Sequence, residues 1–226
     1  GIGNTVASSM DGGANNLVIG SGSGTEGMTI YSGNANSGTI YFADGSSGDD
    51  RFRGQIGYGH GDNSLSFRTN ASSTPDMTID STGAVTMPHQ PAFQAVPSST
   101  QFNIAINSQV TIVFGTEVFD QNADFASNTF TAPVTGKYQL NVSIYVNNLD
   151  TGADYYTLSI KTSNRTYENV MDPGVLASDP VYWTQTLSIL ADMDASDTAY
   201  IFLQQGNGTV QTDITTQSRF SGYLAC

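Results

Sequence analysis

From Lys137 to Val146 apolar and polar positions alternate without a break. Tyr138, Leu140, Val142, Ile144 and Val146 share one parity, and mostly polar residues share the other. A period of two predicts a half-buried antiparallel strand. The alternation returns from Trp183 to Leu190, with Trp183, Gln185, Leu187 and Ile189 in phase, and residues 155–160 and 199–204 read as further strands. Ala92–Val96 opens this region, and an apolar run broken by Gly115 covers residues 110–119. At its end, Phe220, Gly222 and Leu224 share one face and Ser221 and Tyr223 the other. A terminal strand of that kind needs neighbours to bury it. Roughly eight strands joined by long loops suit a jelly-roll sandwich.

The first 88 residues follow a different pattern. Short strands are predicted at residues 16–20, 28–31, 39–43, 54–58, 64–68, 77–80 and 84–87. A Gly-Ser run at 20–24 separates the first two, and Ser81-Thr82-Gly83 between the last two signals a hairpin. Each strand brings two or three apolar side chains to one face. So little burial cannot offset an ordering cost of roughly 1–2 kcal/mol per residue. Identical chains packing their apolar faces around a common axis resolve the deficit; a small monomeric sandwich is the alternative. Pro88 and Pro91 mark an extended linker at 89–91, dividing a short-strand region, 1–88, from a sandwich, 92–226.

Composition agrees with an all-β chain: 24 glycines among 226 residues and only 12% charged residues. Twenty acidic against seven basic residues give a net charge of −13, which argues against a nucleic-acid partner. The acidity serves solubility, or supplies oxygen ligands to a hard cation such as Ca²⁺. Cys226 stands alone, so there is no disulfide framework; it is a thiol without a role or an intermolecular link. No apolar run reaches the roughly 20 residues of a membrane span, so no membrane insertion is expected. A start at Gly1 suggests a piece of something longer.

The motifs now bear a resemblance. Phe93 with Ala95, Phe119-Asp120, the run Phe130 to Tyr138, and Phe220-Ser221-Gly222-Tyr223-Leu224 resemble the globular head of complement component 1, subcomponent q, within the TNF-like jelly-roll superfamily. Asn128-Thr129 and Ser196-Asp197 depart from that family's usual glycine-containing patterns. Residues 1–88 resemble repeats of bacteriophage tail-fibre and virion proteins, through Gly38 to Gly45, Arg53 to Tyr58, Leu65 to Asn70, and Met77 to Asp80 with Gly83. Together the resemblances imply an extracellular, virion-borne homotrimer with a β-strand shaft and a jelly-roll head. The shaft side would meet other virion proteins, and the head a host-surface glycan or protein. They also imply that the final strand lies inside a sheet, beside the strand that opens the head. A purely structural module is the alternative, and a polysaccharide depolymerase a more distant one.

Catalytic signals are lacking. His60 and His89 have no partners at metal spacing, and no serine–histidine–aspartate set can be named, so an enzyme is not expected. Asp192, Asp194 and Asp197 fall within six residues and are either a Ca²⁺ site or a solvated acidic turn; Asp44, Asp49 and Asp50 pose the same choice. Trp183 and Tyr156 are expected in the core or at a subunit interface. Long loops on a rigid scaffold tend to carry recognition. The expected receptor surface is therefore loop 164–182, with Tyr167, Asn169, Asp172 and Tyr182, and loop 205–216, with Asn207 and Gln211.

Overall fold

The computed structural model describes residues 7–14, 17–20 and 22–226. The chain forms two compact units, Gly1–Pro88 and His89–Cys226.

In the first unit, β1 (Ser37–Phe42), β2 (Gly54–Gly59), β3 (Ser64–Arg68), β4 (Met77–Ile79) and β5 (Val85–Thr86) form one antiparallel meander in chain order. Register sorts its side chains by polarity. Tyr58, Leu65, Ile79 and Val85 lie in one row and Ile40, Ile56, Phe67 and Met77 in the next, all on one face. The other face carries Thr39, Ser66, Thr78 and Thr86, then Tyr41, Gln55 and Arg68. Among the described residues of this unit no hydrophobic side chain is buried.

Two expectations fail here. Residues 28–31 are not a strand: they have no regular structure, and Met28, Ile30 and Tyr31 are exposed, Tyr31 at 97%. Of residues 17–20, Ile19 alone makes a bridge; Asn16 and, in the adjoining turn, Ser21 lie outside the described residues. These segments have the right parity, but a strand also needs a neighbour to accept its backbone hydrogen bonds, and the sheet ends at β1.

The second unit is an antiparallel jelly-roll sandwich. Its strands are β6 (Ala92–Val96), β7 (Gln109–Thr111), β8 (Thr116–Asp120), β9 (Phe125–Ala126), β10 (Thr129–Thr131), β11 (Gly136–Asn147), β12 (Tyr155–Thr162), β13 (Thr166–Met171), β14 (Tyr182–Met193), β15 (Thr198–Gly206), β16 (Asp213–Ile214) and β17 (Arg219–Leu224). One sheet runs β13-β12-β15-β10-β9, with β7 also on β15. The other runs β14-β11-β17-β6-β8, with β16 also on β11. The strictly alternating residues of β11 behave as their parity predicts: Tyr138, Leu140, Val142, Ile144 and Val146 are all buried.

An aromatic cluster fills one region of the core. Phe93 stacks on Phe125 and Phe130 at 5.0 and 4.8 Å, and Phe220 makes a T-shaped contact with it at 4.9 Å. The final strand, β17, lies between β6 and β11. Gly222 permits the close fit: a Cβ there would lie 2.6 Å from Leu140 and 2.8 Å from Phe93.

Candidate functional site: linked loops and an uncovered sheet face

Loops at one end of the sandwich are tied together by one carboxylate. Asp150 is buried, and its Oδ2 accepts from the Thr209 and Val210 N–H groups at 2.6 and 2.8 Å. Its Oδ1 accepts from the Gly152 N–H at 2.8 Å. Burial opposes ionisation, yet the Val210, Thr209 and Gly152 donors outweigh it and hold the carboxyl below its ordinary pKa. Beneath lies a polar network. The Tyr156 hydroxyl accepts from the Asp150 N–H and pairs with Thr212 Oγ1 at 2.8 Å, while buried Gln205 donates to the Val210 carbonyl at 2.8 Å. Thr151 ties loop 172–181 to this assembly by donating to Asp179. Exposed Phe102, Val175, Val181 and Val210 are carried by the linked loops. Periodicity does not reveal Asp150; the triplet Asp150-Thr151-Gly152 does carry an Asx-turn signal.

The residues expected to meet a receptor are distributed otherwise. Residues 164–182 are not one loop, because Thr166–Met171 forms the edge strand β13. Tyr167 packs against the core, and burial pushes its phenol pKa up. Asn169 ties the two sheets together: its Nδ2 donates to the Thr186 carbonyl, and its own carbonyl accepts from Gln185 Nε2, both at 2.7 Å. Asp172 caps the turn Pro173–Val175 by accepting from the Gly174 N–H at 2.9 Å. Asn207 exchanges hydrogen bonds with Asn107 and donates to Asp154, and Gln211 donates to the Asn103 and Ile104 carbonyls. Tyr182 remains 61% exposed, against the Tyr145 ring at 5.7 Å.

The acidic clusters find partners within the chain. Asp192 pairs with Arg165 at 3.0 Å, and Asp197 Oδ2 accepts from Asn164 Nδ2 and the Asp194 N–H. Arg53 joins Asp50 at 2.6 Å and Asp44 at 3.5 Å. Among the described residues, no three His, Cys, Asp or Glu side chains are gathered as metal ligands. Asp124 is less well served: Oδ2 is sealed from solvent without a donor, and burial, then the Asp120 charge, raise its pKa. Its ionised form is the penalised one, so the penalty grows as pH rises through the folded-state pKa and vanishes in acid. Asp124→Asn should therefore gain stability relative to wild type as pH rises from about 3 to about 7, a difference that calorimetry across that range reads directly.

The sheet β14-β11-β17-β6-β8 has one face on the core and one uncovered. Gln94, Ser221, Asn141 and Ser188 form a polar row across the uncovered face, ending at Phe119. Gln139 and Ser188 both donate to Asn141 Oδ1, at 3.1 and 2.7 Å. Apolar side chains stand around this polar centre: Phe119 and Tyr223 are each 49% exposed, and Leu190 57%.

The model of the C1q domain matches residues 92–225, more than half of the chain. The chain belongs to the C1q domain family. The sandwich is consistent with the jelly roll of C1q domains, which commonly form homotrimers. Among solved structures, the globular domain of zebrafish complement 1qA protein is 18% identical at a TM-score of 0.45, the match covering 61% of this chain and 98% of that one. Murine APRIL is 11% identical at a TM-score of 0.43, with 60% and 98% covered. No curated protein matches the sequence. Among the described residues, no helix of this C1q-domain chain is long and apolar enough to cross a membrane.

Proposed function

We propose that the protein is a homotrimeric fibre component of a phage virion, acting outside the cell to attach it to a host-surface glycan or protein. It is a binding and structural protein, not an enzyme. One observation carries the reading: the sheet of residues 37–86 has a wholly apolar face and no buried hydrophobic side chain among its described residues. A soluble unit with such a face is completed by partners, and identical chains are the partners that membership in a commonly trimeric family supplies. The N-terminal sheets would form the shaft, and the linked loops of the head would meet the host. Three sites on one rigid body would then add avidity to weak contacts.

Sedimentation equilibrium of the whole chain should give three times the 23.9 kDa chain mass; a folded monomer would sink the proposal. Ile56→Asp, in the middle of the apolar face, should unlock the shaft and leave the head folded. Trypsin cleavage at Arg51, Arg53 and Arg68 should become at least about tenfold faster as local opening grows easier. A purely structural module is the second reading, favoured by the internal hydrogen bonds of Asn169, Asn207 and Gln211. Purified trimer that blocks phage adsorption supports attachment; trimer that leaves adsorption unchanged supports the structural module.

A further inference from the structure

The polar face of the N-terminal sheet contains a cavity of about 390 Å³. Tyr41, Gln55 and Arg68 are cross-strand neighbours on β1, β2 and β3, and they line it. The turn Gly48–Phe52 contributes Phe52, whose ring lies 6.3 Å from that of Tyr41 at a tilt of 60°. Ser72 closes the rim from the loop after β3. Arg68 is the unusual member. Its Nε is shut off from solvent and has no acceptor, whereas nearby Arg53 is occupied by Asp44 and Asp50. A buried donor without a partner is rare and calls for an explanation.

We infer that this cavity binds a carboxylate-bearing sugar unit, such as a uronic acid of a surface polysaccharide. A guanidinium is the side chain best matched to a carboxylate, which can accept two parallel hydrogen bonds from it. The tilted aromatic pair offers an apolar wall to the C–H face of a pyranose ring. The Gln55 amide, the Ser72 hydroxyl and the Asp49 carboxylate are suited to sugar hydroxyls. The volume falls within the range of small-ligand pockets, roughly 300–1,000 Å³. A single carboxylate also suits a chain of net charge −13 better than a densely charged polyanion does. The inference rests on the proposed assembly in one respect: packing through the apolar face leaves this polar face in solvent.

Titration calorimetry of the whole protein with sodium glucuronate should show saturable binding with a dissociation constant of about 1 mM, falling off with added salt. Glucose and sodium acetate should each bind at least about tenfold more weakly, since each keeps only half of the recognition. Acetate matching glucuronate would reduce the cavity to a simple anion site and overturn the sugar assignment, and glucose matching it would remove the role of Arg68. Arg68→Gln should abolish the glucuronate isotherm; unchanged binding overturns the proposal. Ser72→Tyr, which fills the cavity from an outer loop, gives the same test should Arg68→Gln fail to fold. Sedimentation of the same samples separates the two proposals. A trimer that does not bind glucuronate sinks the pocket alone, and a monomer that binds it sinks the assembly alone.

Discussion

Removal of residues Arg219–Cys226 is expected to leave residues 89–218 without a cooperative unfolding transition. The deleted segment holds β17, the middle strand of its sheet, with β11 on one side and β6 on the other. Its loss strips two ladders at once and leaves both neighbours with unpaired backbone groups. It also removes the fully buried Phe220, whose ring lies 4.9 Å from Phe93, 5.8 Å from Phe114 and 6.1 Å from Phe125. Truncating one buried phenylalanine costs about 3–5 kcal/mol, and a whole domain has only about 5–15 kcal/mol to lose. Near-ultraviolet circular dichroism and calorimetry should both lose their transitions. A truncated head that still melts sharply would mean that β17 only trims an edge, contrary to its place in the sheet.

Asp150→Ala should cost about 3–5 kcal/mol, because it strands the Gly152, Thr209 and Val210 N–H groups in a poorly solvated site. Asp150→Asn keeps an acceptor and the shape, and should cost about half as much. The pH dependence has a definite sign. The folded-state pKa is held below the unfolded value of roughly 3.9. The contribution of Asp150 is therefore complete above that value and is lost as pH falls through the folded-state pKa. Urea melts between pH 7 and pH 2 should show wild type and Asp150→Asn converging at the acid end. Parallel curves would assign the stabilisation to shape alone. The loop contacts should loosen in the same variants, seen as faster amide exchange at Thr209 and Val210.

Much of the sandwich was legible because antiparallel strands with one buried face write their geometry into parity. β11 and β14 show this, and the place of β17 beside β6 followed from the family motifs. Parity failed where a strand reverses it. In β13 the inward positions are Tyr167, Asn169 and Met171, while Val170 points outward at 61% exposure, so residues 164–182 read as a loop. It failed in the opposite direction at 28–31, where alternation was present but the neighbouring strand was not. The linked loops were harder still. Asp150 announces a local turn, yet its other donors lie 59 and 60 residues away, a separation that no local pattern reports. The polar cavity, likewise, depends on register across three strands, which brings Tyr41, Gln55 and Arg68 into one row.

The position of β17 also sets an order of events during synthesis. A ribosome adds about 5–20 residues per second, and domains usually close as they emerge. This head cannot, because the slot between β6 and β11 stays open until Leu224 is free. For that interval the nascent chain presents two bare strand edges, each a template for a foreign strand. Where several copies are made side by side, the nearest suitable strand is the β17 of another chain. Strand exchange between copies is thus the misassembly expected of this fold, and dilution, which separates the copies, is the condition expected to suppress it.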